Sequence, residues 1–82
     1  MFTTTNEIYE FVRLAMKRSR EHGYDDIAQQ LDDALHLGSS GLEILGAIKV
    51  TVLSHRARLE ELFDGATVLE VTQYVDRAYG IE

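Results

Sequence analysis

The fold of this chain is decided by residues 24–38, YDDIAQQLDDALHLG. Apolar side chains recur in this stretch every three or four residues: Tyr24, Ile27, Ala28, Leu31, Ala34 and Leu35. Such spacing puts them on one face of an α-helix, and the pattern stops at Gly38, a residue type that commonly terminates helices. The stretch therefore predicts an amphipathic helix that packs its apolar face against other helices.

The same helical spacing recurs on both sides of this stretch. Gly23, Gly65 and Gly80 stand where other apolar stripes stop, and the chain contains no proline to interrupt a helix elsewhere. We therefore predict an all-α fold, a compact four-helix bundle in which residues 1–82 form one helical domain. The predicted helices cover residues 6–22, 24–37, 41–64 and 67–79.

The third predicted helix has apolar residues on two faces. Ser40-Gly41-Leu42-Glu43 matches the capping-box pattern, which predicts a helix beginning at Gly41. A helix with two apolar faces is expected at the centre of the bundle, packed on both sides. Within it, residues 48–52 alternate and are rich in β-branched side chains, so a strand is the alternative there.

One of these two faces also predicts self-association. A chain of this length buries only about 60% of its unfolded surface, which leaves little to cover both faces of a central helix. We therefore expect a dimer whose seam lies along the second face. Its residues are Leu42, Gly46, Val50 and Leu53.

Composition and charge exclude several classes of protein. The 82 residues are 45% hydrophobic, and 14 acidic against 8 basic residues give a formal net charge of −6, which disfavours nucleic acid as a partner. No secretory signal begins the chain, and no uncharged apolar stretch approaches the roughly 18 residues of a membrane span. Together with the absence of cysteine, this predicts a cytoplasmic protein that binds no membrane.

The outward face of the second predicted helix carries the most one-sided charge in the chain. That helix contains no lysine or arginine, and its polar side chains gather opposite the apolar stripe. We predict that this face binds a protein partner, in particular a basic one. Its residues are Asp25, Gln29, Asp32, Asp33 and His36.

The sequence offers little for catalysis. Asp32 and Asp33 precede His36 at the spacing of half a metal site, but no second half is present, so we predict no metal and no cofactor. No nucleophile–base pairing or carboxylate pair is indicated, so we expect no enzyme activity. The small, acidic, helical character is that of bacterial immunity and antitoxin-like proteins, and by this analogy we expect a non-enzymatic interaction or adaptor module. A small regulatory homodimer is a further alternative.

Two segments resemble acyl or peptidyl carrier domains. Residues 37–42, LGSSGL, resemble the segment that presents the phosphopantetheine-bearing serine just before a helix, and residues 62–68, LFDGATV, resemble the entry to the last carrier helix. In the best register Gly41 occupies the serine position. The resemblance therefore implies, as an alternative function, a carrier-like domain that acts through Ser40.

Overall fold

In the computed structural model, which describes residues 2–38 and 40–80, the described chain forms five α-helices and no β-strand. The helices are α1 (Thr5–Glu21), α2 (Asp25–Leu35), α3 (Gly41–Ser54), α4 (Arg56–Leu62) and α5 (Gly65–Ala78). The all-α prediction is confirmed. The strand alternative is wrong, because residues 48–52 lie within α3.

The predicted four-helix count is wrong, because the third predicted helix is two helices. A straight helix over residues 41–64 would be about 36 Å long. The longest dimension of the whole molecule is 35 Å. Such a helix would run the full length of the molecule. The break brings Leu59 and Leu62, both buried, back onto the core.

The break occurs at His55, whose backbone has φ −118° and ψ 28°. In the preceding turn, Thr51 Oγ1 donates to the carbonyl of Ala47 at 2.9 Å, and Ser54 Oγ donates to that of Val50 at 2.8 Å. Hydroxyl groups that bond to carbonyls four residues back often bend helices. These two bonds give a local reason for the chain to turn between α3 and α4.

The last helix begins two residues before its predicted start because Asp64 caps it. Asp64 Oδ1 accepts a hydrogen bond from the Thr67 amide at 2.6 Å, and this bond holds the pKa of Asp64 below its usual value. Gly65 is consequently the first residue of α5 rather than a helix terminator. Of the glycines expected to terminate helices in a left-handed conformation, Gly23 and Gly80 have φ 78°. Gly38 does not adopt this conformation, and α2 already ends at Leu35.

The start of α1 is held by a capping box. Thr4 Oγ1 accepts from the Glu7 amide, and Glu7 Oε1 accepts from the Thr4 amide at 3.0 Å. Hydrogen bonds from the Thr3 hydroxyl and amide to the same carboxylate lower the pKa of Glu7. This cap fixes the first turn of α1, which supplies Ile8 to the core.

The core lies where all five helices meet. Its fully buried aliphatic side chains come from every helix: Ile8, Val12, Ile27, Leu31, Ile48, Val52, Leu59, Val68, Val71 and Val75. Two long-range hydrogen bonds fasten its edges: Thr5 Oγ1 with Tyr74 Oη at 2.8 Å, and Arg18 Nη1 donating to the Leu62 carbonyl at 2.9 Å.

Helix α3 packs on three helices, but its neighbours do not cover both of its apolar faces, contrary to the sequence-based prediction. It contacts α2, α4 and α5, and buries Leu45, Ile48 and Val52. Its second apolar face is open to solvent, with Val50 66% exposed. Helices α2, α4 and α5 thus complete the core around the buried face of α3 and leave Val50, on its second face, exposed.

Candidate functional site

The five polar residues predicted to form a binding face lie along the outward side of α2. Asp25, Gln29, Asp33 and His36 are exposed, and Asp32 is half-buried. Gln29 Nε2 donates to Asp33 Oδ1 at 2.9 Å. His36 Nδ1 donates to the Asp32 carbonyl at 2.8 Å and lies 3.5 Å from Asp32 Oδ1. We call this set the acidic face.

Basic residues from other helices approach the ends of the acidic face but leave part of it free. Arg58 Nη1 lies 3.6 Å from Oδ2 of Asp26, the neighbour of Asp25, and Arg13 lines a cavity together with Asp32. Within residues 2–38 and 40–80, no lysine or arginine forms an ion pair with Asp25 or Asp33. These two carboxylates therefore face solvent without a compensating cation.

An open groove of about 420 Å³ runs beside the acidic face, between α2 and α3. Its exposed large apolar members are Leu37 and Val50, each 66% exposed, and small side chains at Ala34 and Ala47 widen it. Asp33 lies at its edge. The full lining is Gln30, Asp33, Ala34, Leu37, Gly46, Ala47, Val50 and Thr51. We call it the α2–α3 groove.

The predicted self-association seam is covered by the chain itself at one of its four residues, Gly46. Leu42, Val50 and Leu53 are exposed, as the seam requires. Tyr79, however, donates its hydroxyl to the Leu42 carbonyl and lies over Gly46, where a Cβ would come within 2.6 Å of the tyrosine oxygen. Because Gly46 has no side chain, Tyr79, the C-cap residue of α5, can lie against it. Self-association through this row stays a prediction.

The polar residues that come closest to a catalytic arrangement are engaged in structural bonds. Asp26, Ser54 and His55 line one cavity of about 400 Å³. The Ser54 hydroxyl donates to the Val50 carbonyl, and His55 Nε2 donates to Gln30 Oε1 at 2.7 Å. Among the described residues, no hydrogen bond joins this histidine to the serine hydroxyl. Among the described residues, no cluster of three or more His, Cys, Asp or Glu side chains is placed to hold a metal ion.

Ser40, the residue on which a carrier role would depend, is the N-cap of α3. Its side chain is exposed, and its Oγ accepts a hydrogen bond from the Glu43 amide at 3.2 Å, as the capping pattern predicts. The Glu43 side chain passes over Gly38 and packs against it. Ser40 is accessible, while its neighbour Ser39 lies outside the described residues.

The α2–α3 groove was not anticipated from the sequence. Gly46 and Ala47 predict the close approach of a helix, but a stripe pattern does not say which helix supplies the opposite wall. The sequence signal that points to this groove is the combination of small residues at Ala34, Gly46 and Ala47 with large apolar residues at Leu37 and Val50.

Comparison of the chain with protein families, curated proteins and solved structures finds no match in any of the three. Within the described helices, none is both long and apolar enough to cross a membrane. The role of the site therefore rests on its own geometry.

Proposed function

We propose that this chain is a non-enzymatic protein-binding module whose acidic face captures a basic surface of a partner protein. The observation that carries the proposal is the pair of exposed carboxylates, Asp25 and Asp33, which lack a cation among the described residues. They stand on a helix without lysine or arginine, in a chain of net charge −6.

The physical argument is that unneutralised charge on one helix face is costly to keep. Asp32 and Asp33 lie in the last turn of α2, which contains no basic residue, and the negative end of the helix dipole disfavours carboxylates there. A basic partner would offset that unfavourable interaction and would speed encounter through long-range steering. Bacterial immunity and antitoxin-like proteins supply the analogy for this role, by size and charge alone.

The test is capture of the partner by charge-reversed variants. The Asp32→Lys, Asp33→Lys double variant should fold normally and capture the native partner more slowly than wild type, because steering by the face is reversed. Wild-type capture should slow as ionic strength rises. Co-purification from the native host identifies the partner, and stopped-flow or surface-based kinetics measure the association rate.

The matched control carries the same change in net charge elsewhere. Glu10→Lys with Glu21→Lys alters two exposed carboxylates that lie on α1 rather than on α2. It should retain most of the wild-type association rate. If both double variants slow capture equally, the association rate depends on the net charge of the chain rather than on the acidic face. If neither does, the acidic face is merely solvated, and the proposal fails.

A carrier-like role through Ser40 is the second candidate, favoured by the accessibility of that hydroxyl at the first turn of α3. We expect it to fail, because Gly41 occupies the position of the modified serine. Incubation with coenzyme A and a promiscuous phosphopantetheinyl transferase should leave the intact mass unchanged. A mass increase that disappears in Ser40→Ala would replace our proposal.

A further inference from the structure

We propose that the α2–α3 groove binds a single amphipathic helix of the partner, with its apolar side chains between Leu37 and Val50 and a lysine or arginine against Asp33. The inference rests on the proposed function, since it gives the form in which a basic partner would be bound. It adds a second, apolar half to the binding surface.

The groove has the character of a docking site for aliphatic side chains. Leu37 and Val50, one on each side, are each 66% exposed. Between them, Ala34 and Ala47 leave space rather than filling it. The volume of about 420 Å³ lies within the range of roughly 300–1,000 Å³ that is usual for ligand sites. A partner that filled it would remove two large apolar side chains from water.

The secondary structure around the groove favours a helical occupant. The groove is bounded by two helices, and no described residue belongs to a strand whose edge could pair with an extended peptide. A helix laid between α2 and α3 packs on both by the same side-chain interdigitation that the five helices use among themselves. Its anchors would be spaced three or four residues apart.

Charge selects a basic helix. Asp33 lies at the edge of the groove. Among the described side chains, only the Gln29 amide donates a hydrogen bond to its carboxylate. A lysine or arginine on the rim of the partner helix would meet an uncompensated carboxylate there. An acidic helix would meet a chain that already carries a net charge of −6.

A second copy of this chain is a poorer occupant. It would bring another net charge of −6 to the interface. In addition, Tyr79 already covers Gly46, the residue at which two α3 helices would approach most closely. The groove is therefore assigned to a different chain of opposite charge.

The experiment uses a designed probe, because the native partner is unidentified. The probe is a capped peptide of about 18 residues, roughly five helical turns, with leucine at i, i+3, i+4 and i+7 spacing and lysine elsewhere. The matched probe has glutamate in place of every lysine. Binding to the full chain is followed by fluorescence anisotropy. The lysine peptide should bind, and the glutamate peptide should bind at least about tenfold more weakly.

Variants locate the site. Val50→Gln and, independently, Leu37→Gln should each weaken the lysine peptide about tenfold, while far-UV circular dichroism stays unchanged because both side chains are exposed. Leu69→Gln is the matched control, since Leu69 is 48% exposed on α5. It should leave affinity unchanged. Asp33→Lys should weaken binding and reduce its dependence on salt.

Several outcomes overturn the inference. Equal binding of the two peptides, or affinity unaffected by Val50→Gln and Leu37→Gln, would show that the groove is not the docking site. A wild-type dimer that Val50→Gln dissociates would assign the groove to a second copy. If the Val50→Gln variant captures the native partner normally while Asp32→Lys, Asp33→Lys does not, the proposed function stands and the groove proposal falls. If the Val50→Gln variant and the Asp32→Lys, Asp33→Lys variant both capture the native partner as wild type does, the proposed function and the groove proposal are both refuted.

Discussion

At the scale of single residues, two carboxylates couple helix capping to pH. Asp64 caps α5 and Glu7 closes the capping box of α1, and their hydrogen bonds lower both pKa values from the ordinary 3.8 and 4.5. A lowered pKa in the folded state means that the stabilisation is complete above the unfolded value. It is lost as the pH falls through the folded value.

We therefore expect the free energy of unfolding to drop on acidification below about pH 4.5, and to drop less in the Asp64→Asn, Glu7→Gln variant. Both replacements keep an acceptor oxygen at the cap but do not titrate. Urea unfolding from about pH 6 to about pH 3 measures the difference. Glu10→Gln is the control, because Glu10 makes no side-chain hydrogen bond within the described chain. A double variant with the wild-type pH slope would contradict this account.

Residue-level signals also explain where the sequence misled. Asp64-Gly65 fits two interpretations, a glycine that ends a helix or an aspartate that caps the next one. The structure adopts the second, because the Asp64 side chain reaches the Thr67 amide. At Ser40 the signal was unambiguous, and the predicted cap is present.

At the scale of elements, α3 has one buried face and one exposed face, and this division can be tested directly. Ile48 is fully buried, whereas Val50, on the same helix, is 66% exposed. An unpaired carboxylate at the buried site costs more than the roughly 3–5 kcal/mol that a domain of this size is expected to have. Ile48→Asp should therefore unfold the chain, and Val50→Asp should change its stability little.

Circular dichroism and thermal melting of the two aspartate variants are the measurement. A cooperative melt of Ile48→Asp near the wild-type temperature would show that the assignment of faces is wrong. Loss of structure in Val50→Asp would mean that the second face of α3 is covered.

The break between α3 and α4 shows what periodicity alone does not determine. Apolar positions at Leu59 and Leu62 continue the stripe of α3 in angle, so a count of helical turns joins them into one helix. The redirecting bonds of Thr51 and Ser54 to the preceding turn do not change that count. The packing of a short chain, together with those local bonds, favours the bent arrangement.

At the scale of the whole molecule, the helical class and the acidic face followed from pattern and charge, whereas the groove required the pairing of helices. The acidic face is a property of one helix, α2, and its residues share a side because of their spacing. The α2–α3 groove is a property of two helices. Its walls at Leu37 and Val50 become neighbours only when α2 and α3 pack together.

The order of packing along the chain carries a consequence for how this molecule folds. Most helix pairs in contact are consecutive: α1 with α2, α2 with α3, α3 with α4 and α4 with α5. Contacts between near neighbours in sequence require the closure of only short loops, and helical proteins of this kind fold in microseconds to milliseconds. We expect the Thr5–Tyr74 bond, which spans nearly the full chain, to form late in that process. We therefore expect the hairpin of α1 and α2, which has the most extensive contacts of any helix pair, to form early in folding.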